Sequence, residues 1–253
     1  MAPPAGAAAV LVPGTSRGAA VISVVIPAYD ERERIPATLE RLREYLDTAG
    51  EPYEVIVADD GSTDGTVEYV RATTETWPQL SLVALERNQG KGAAVRAGML
   101  RARGEHRLFS DADLSTPIEE LPRLRARLGD ACHVAIASRA VPGATIDVHQ
   151  PGRREMMGRT YNRLVQLIVL PGLHDTQCGF KVFTAEAAVA CFEPLRTRGF
   201  GFDAEALLRA RRKGWEIAEV PVRWSHREAS RVSALRDSGM VLLDLIRLRF
   251  MRH

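Results

Sequence analysis

Apolar and polar positions change period in a regular rhythm along this chain. Val21–Ile26 (VISVVI) is a short run, apolar except for Ser23, that reads as a buried strand, stopped by Pro27. Beyond it, Ile35, Leu39, Leu42 and Leu46 recur at helical spacing and predict an amphipathic helix. Tyr53–Ala58 (YEVIVA) predicts a second strand, with Asp59-Asp60-Gly61-Ser62 at its end and Asp64 as cap of a helix running to about Glu75. Leu80–Leu85 predicts a third strand, after which Asn88-Gln89-Gly90-Lys91-Gly92 opens a helix through Val95 and Leu100. A fourth strand precedes Asp111, and a fifth covers His133–Ala137. Strands alternating with helices predict an α/β domain: a mostly parallel sheet with helices on both faces.

The second half is less regular. A loop with Pro142, Gly143, Pro151 and Gly152 leads through Arg153-Arg154 to a helix from about Glu155 to Leu170. His174–Lys181 (HDTQCGFK) reads as a polar loop entering a short strand. Helices near Ala185–Phe192 and Asp203–Arg212, a strand at Glu216–Val222 and a basic loop at Ser225–Arg231 (SHREASR) follow. In Leu235–Phe250 apolar residues alternate with Arg236, Arg247 and Arg249. Such a segment packs on its domain or lies on an anionic membrane surface.

In a parallel α/β sheet, ligands bind beyond the carboxyl ends of the strands. The polar clusters fall there together: Tyr29-Asp30-Glu31, Asp59-Asp60, Asn88–Lys91 and Asp111–Asp113. In Leu108–Pro117 (LFSDADLSTP) an apolar run enters a turn with Asp111 and Asp113 separated by Ala112. A turn can aim both carboxylates at one point, as a divalent cation bridging protein and phosphate oxygens requires. Pro117 and Glu119-Glu120 read as a helix start, capped by Ser115 or Thr116. Lys91 is within reach of a phosphate, and the glycines beside it permit close backbone approach. No G-x-G-x-x-G or G-x-x-x-x-G-K-S/T fingerprint occurs.

Composition narrows the class. The chain has 253 residues, 45% hydrophobic and 26% charged, enough for one large globular domain. A net charge of +2 gives no reason to expect nucleic acid. Cys132, Cys178 and Cys191 form no CxxC pair and read as buried small hydrophobes in a reducing compartment. Residues 1–20, rich in Ala, Pro and Gly and without a basic n-region, read as a flexible tail. No apolar run is long enough to span a membrane. The expected organisation is therefore a tail (1–20), one globular domain (21–233) and an amphipathic helix (234–253).

Taken together, VVIPAYDERERI, VADDGSTDGT, NQGKGAAVRAGM, DADLSTP, ASR, DTQCGFKVF, GFDAE and EVPVRW resemble the family 2 glycosyltransferases of GT-A fold, from about Val21 to Phe250. Within that family the chain is most similar to the polyprenyl-phosphate hexose synthases of dolichyl-phosphate glucosyltransferase type, with DTQCGFK the most specific block. The resemblance implies a Rossmann-like sheet and an inverting transfer of a hexose, glucose from UDP-glucose, onto a polyprenyl (dolichyl or undecaprenyl) phosphate. It implies Mg²⁺ or Mn²⁺ held by Asp111, Asp113 and Ser115. Pro27, Ala28, Tyr29, Glu31, Ala58, Asp60 and Lys91 correspond to nucleotide-sugar contacts, joined by Asp111, Ala112, Asp113, Arg227 and Arg231. Arg139, Arg153, Arg154 and Ser230 correspond to the acceptor-phosphate clamp, and Asp111, Asp113 and Arg139 to the catalytic set. Mannosyl relatives carry Gln where this chain has Ser115; Arg231 stands where the family pattern has Lys. The implied location is cytoplasmic, peripheral at the inner face of the membrane, with a UDP-sugar, a polyprenyl phosphate and the membrane surface as partners and no nucleic acid. Other readings are a GDP-mannose donor, a soluble hydroxyl acceptor, or a non-catalytic nucleotide-sugar-binding protein.

The acceptor decides which side chains the chemistry needs. A hydroxyl acceptor requires a general base. A phosphate, with its second pKa near about 6, is already largely dianionic at neutral pH and needs arginines to position it instead. Asp203 or Glu205 is available as a base, or serves to charge a helix N-terminus.

Overall fold

The computed structural model describes residues 10–12, 21–149, 152–227 and 247–250. The strands are β1 (Val10–Val12), β2 (Ile22–Ala28), β3 (Tyr53–Asp59), β4 (Leu80–Ala84), β5 (His106–Ser110), β6 (Cys132–Ser138), β7 (Thr145–Val148), β8 (Phe180–Thr184), β9 (Glu216–Pro221) and β10 (Arg223–Ser225). The helices are α1 (Ile35–Ala49), α2 (Thr66–Thr74), α3 (Lys91–Arg101), α4 (Leu121–Arg125), α5 (Gly152–Ile168), α6 (Ala185–Phe192) and α7 (Phe202–Arg212). A 3₁₀ turn, Ile118–Glu120, precedes α4.

One sheet runs in the order β1-β4-β3-β2-β5-β8-β6-β9, and β7 pairs with β10 beside it. β4, β3, β2 and β5 are mutually parallel, and β6 pairs parallel with β9. β8 runs antiparallel to both neighbours, β5 and β6. The α/β architecture expected from the alternating pattern, a mostly parallel sheet with helices on both faces, is present. β2 shows why the apolar run is a strand: all seven residues are buried. Ile22, Val24, Ile26 and Ala28 face one core, and Val25 the other. The first core takes α1 through Ile35, Leu39, Leu42 and Leu46; the second takes α3, α5, α6 and α7. Pro36 suits the first turn of α1, and Gly50, at φ 70°, ends the helix in the left-handed conformation.

Several local expectations are corrected. Val10–Val12, assigned to a tail, pairs antiparallel with β4 at the sheet edge. Asp64 does not cap α2, whose N-cap is Gly65; its carboxylate instead takes the amides of Thr66 and Arg32. Neither Ser115 nor Thr116 caps the turn after Asp113. Pro117 occupies that position, and the Thr116 hydroxyl meets the Cys178 thiol at 3.4 Å. The Pro142–Gly152 loop contains β7. Of residues 234–253, only 247–250 are described. They are helical, with Leu248 buried in the second core and Phe250 78% exposed.

Candidate active site

The reversed strand β8 builds the site. Because it runs against β5 and β6, its amino end meets their carboxyl ends, and the DTQCG loop lies on the same rim as Asp111 and Arg139. At the β5 end, the Asp111 amide donates to Gly179 O at 2.9 Å. A Cβ on Gly179 would fall 2.0 Å from Asp111 Oδ2 and 2.2 Å from its Cγ. Any side chain there would drive the carboxylate out of place, so this glycine is set by close approach. Asp113 follows on a turn in which Leu114 sits at φ 47° and donates its amide to Asp111 O. Asp113 Oδ1 accepts the Ser115 amide at 2.9 Å. Ala112 is buried, and its carbonyl takes the Thr38 hydroxyl at 2.5 Å.

The Asp111/Asp113 pair suits a hard divalent cation, since its donors are carboxylate oxygens on one tight turn. Among the described residues, no group of three His, Cys, Asp or Glu converges on a cation site. Two carboxylates fill only part of such a cation's shell and leave positions for oxygen ligands from outside the protein. Ser115 is buried, with its amide on Asp113 and its carbonyl accepting the Ser225 amide at 2.8 Å. This bond ties β10 to the aspartate turn and starts the basic loop beside it. Arg227 is exposed on that loop; Ser230 and Arg231 lie outside the described residues.

The β2–β4 half of the rim separates into exposed and buried groups. Tyr29 is 41% exposed at the end of β2. The Glu31 amide donates to Thr66 Oγ1, and its carboxylate pairs with Arg34. Pro27, Ala28 and Ala58 lie in the strands beneath. Asp60 is only 3% exposed, and its oxygens accept the amides of Gln89 and Gly90, each at 2.8 Å. Burial pushes its carboxyl above the usual range against those two bonds. In this structure Asp60 fixes the Asn88–Gly92 loop. Gly90, at φ 102°, lies against the protein's own chain: a Cβ there would sit 2.5 Å from Arg198 O. Gly92 is packed as closely, against Thr197 O and Phe202 Cβ, so both glycines allow this loop to lie directly on residues 197–202.

Lys91, delivered by that loop, reaches Asp111 Oδ1 at 2.6 Å. Burial alone would lower its pKa, but Asp111 and Asp203 outweigh that and raise it. Lys181, 1% exposed on β8, donates to Asp203 Oδ1 and to Cys178 O, each at 2.6 Å. Burial pushes the Asp203 carboxyl up while Lys181 and Lys91 pull it down. Glu205 is fully buried and accepts the amides of Arg196 and Thr197 and the Arg209 guanidinium. Both candidate bases are thus committed to the protein. Motif reading missed the Lys181–Asp203 pair; a lysine in an otherwise apolar strand, FKVFT, was the available signal.

At the β6 end, Arg139 Nε and Nη2 form a fork on Asp175 at 2.7 and 2.8 Å, and its amide adds a third bond at 3.0 Å. Trp224 lies under the guanidinium at 5.3 Å. Asp175 is 1% exposed. Burial would raise its carboxyl, but the Arg139 charge and bonds prevail and hold it below the usual range. Glu219 supports this pair by accepting the Asp175 amide at 2.7 Å. The fork leaves Nη1 and one Nη2 hydrogen for an anion. Arg153 and Arg154 lie in α5; only its backbone is described at those positions. The thiols are unpaired, and burial pushes Cys178 up to about 11 and Cys191 up to about 12.

Comparison with known proteins matches these elements to a family. A dolichyl-phosphate beta-glucosyltransferase of Trichomonas vaginalis is 35% identical over 236 residues, 88% of this chain and 69% of that protein. The Homo sapiens protein of the same name is 33% identical over 245 residues, 91% of this chain and 76% of its own length. Among solved structures, Mycobacterium tuberculosis glucosyl-3-phosphoglycerate synthase, in complex with Mn²⁺, UDP and glucosyl-3-phosphoglycerate, superposes with a TM-score of 0.69 at 20% identity. It covers 92% of this chain and 81% of that one, a likeness of fold. The model "Glycosyl transferase family 2" matches residues 23–189, from the start of β2 through β8 and into α6, and so takes in both the aspartate turn and the reversed strand. With more than half its length matched and relatives above 30% identity along most of theirs, the chain belongs to glycosyl transferase family 2.

Proposed function

We propose that the protein transfers glucose from UDP-glucose to a polyprenyl phosphate, with inversion at the anomeric carbon. One observation carries this reading over a hydroxyl acceptor. Asp203 and Glu205 are buried and bonded to the protein, while the rim presents a guanidinium pre-oriented by Asp175. An ionised phosphate needs orientation and no deprotonation. The relatives named dolichyl-phosphate beta-glucosyltransferase support the same donor sugar and acceptor class.

In this reading Arg139 holds the acceptor phosphate, whose oxygen attacks the anomeric carbon as the bond to the UDP oxygen breaks. Asp111 and Asp113 would hold Mg²⁺ or Mn²⁺, which would supply neutralisation of charge on the departing diphosphate. In the same reading Tyr29 and Glu31 would line the nucleoside end, and Arg227, at the head of the basic loop, would meet the diphosphate. Arg139→Ala is expected to lower use of polyprenyl phosphate by roughly 10- to 150-fold, the worth of a charged hydrogen bond, while UDP-glucose binding is spared. The test is a screen of UDP- and GDP-hexoses against polyprenyl phosphate and soluble acceptors, with wild type, Arg139→Ala and Asp203→Asn. A folded but inactive Asp203→Asn beside a near-normal Arg139→Ala would overturn the phosphate assignment.

In this reading the acceptor's lipid chain would bring the protein to the surface of a membrane, peripherally and on the cytoplasmic face. No helix among the described residues is long and apolar enough to cross one. Arg249 and Phe250 are exposed beside the buried Leu248. An Arg249→Glu/Phe250→Glu variant is expected to lose at least about fivefold in binding to anionic liposomes, given about 1 kcal/mol per basic residue. Unchanged flotation would remove this segment from the contact.

A further inference from the structure

Lys91 stands where helix electrostatics disfavours it. It is the first residue of α3, at the positive end of the helix dipole. Its backbone is fixed there by the Asp60 clamp on Gln89 and Gly90 and by the tight contact of Gly90 with residues 198–199. The side chain is three-quarters buried and passes over Phe109 and Phe200 at 5.5 and 5.8 Å. Its ammonium ends 2.6 Å from Asp111 Oδ1. A rigid frame thus delivers a positive charge to the carboxylate that, with Asp113, suits a divalent cation.

We propose that Lys91 is the built-in counter-ion of the cation site, neutralising Asp111 until a nucleotide diphosphate arrives, so that cation and nucleotide bind cooperatively. The inference rests on the reading that Asp111 and Asp113 hold the cation. While Lys91 occupies Oδ1, an entering cation meets one carboxylate without a cationic partner at Asp113, bonded only to the Ser115 amide among the described contacts, and one already neutralised. A diphosphate changes the balance, because its anionic oxygens offer the ammonium a second partner. A compact ammonium with three rotatable donors on a flexible stem can share itself between carboxylate and phosphate. A neutral sugar offers no such partner. The coupling is reciprocal: if UDP tightens the cation, the cation tightens UDP by the same factor.

The test is Mn²⁺ binding, read by electron paramagnetic resonance on the full chain, with and without UDP and corrected for Mn²⁺ bound by UDP in solution. Wild type, Lys91→Met, Lys91→Gln, Lys91→Arg and Asp113→Ala are compared, with thermal melting to confirm folding. Without UDP, Lys91→Met and Lys91→Gln are expected to bind Mn²⁺ about tenfold tighter than wild type, on the scale of one released charged hydrogen bond. UDP should then tighten Mn²⁺ less than in wild type, and Lys91→Arg should behave as wild type. If both neutral variants bind Mn²⁺ alone no better than wild type, while Asp113→Ala abolishes binding, the counter-ion role is overturned and the cation site stands. If Asp113→Ala binds Mn²⁺ normally, the cation assignment itself falls, and this inference with it.

Discussion

Asp113→Ala is expected to lower sugar transfer by roughly 10²-fold or more, the cost of removing a key electrostatic stabiliser, with little loss of stability. The structure makes this the cleaner of the two aspartate tests. Asp111 is woven into the protein through Lys91 and through its tight contact with Gly179, so truncating it would also strand a buried ammonium. The side chain of Asp113 makes one described hydrogen bond, to the Ser115 amide. Its loss removes one local turn bond and leaves the backbone of the turn in place. The measurement is initial rate with UDP-glucose and polyprenyl phosphate, beside the same assay on wild type in excess EDTA. Both are expected to fall together; full activity in EDTA would show that the carboxylates serve some other purpose.

Lys181→Met is expected to destabilise the protein by about 3–5 kcal/mol, the cost of leaving one partner of a buried ion pair uncompensated. Asp203 is 6% exposed and lies at the start of α7, so it cannot turn outward for water without unpacking the helix from β8. Replacing both residues with apolar ones of similar size, Lys181→Met with Asp203→Leu, is expected to recover most of that loss, because the desolvation cost vanishes with both charges. Equilibrium unfolding in urea of the single and double variants measures this. A single variant within about 1 kcal/mol of wild type, the size of a typical surface pair, would show that the pair is not buried in solution. The same experiment bears on mechanism. A folded double variant with substantial transfer activity excludes Asp203 as an essential base.

The charged groups of this site differ in how openly the chain displays them. Asp111 and Asp113 are legible because they sit at the end of an apolar run, where a parallel sheet opens to ligands. The same holds for Tyr29 and for the Asn88–Lys91 loop. Arg139 is legible as the residue closing a strand, yet its fork on Asp175 is not, since the two are 36 positions apart. Asp60 shows the converse. Its motif pointed to the nucleotide, and nothing in the motif showed that its two oxygens also accept the amides of Gln89 and Gly90 and so fix the loop that carries Lys91.

The sequence alone determined the alternation of β2 to β6 with α1 to α3, the burial of β2, the placement of the polar clusters on one rim and the family; it did not show the strands β1 and β7. Periods of two and 3.6 residues report which side of a segment meets the core, and short motifs report turn chemistry. Neither period records which strand lies beside which, or in what direction. That β8 runs backwards between β5 and β6 was decided by tertiary packing, and three outcomes follow from it: Gly179 against Asp111, Asp175 beneath Arg139, and Lys181 buried toward Asp203. Each joins residues remote in the chain. Their attraction is realised only after the sheet has brought them together and excluded water, where unpaired charges would be too costly to leave.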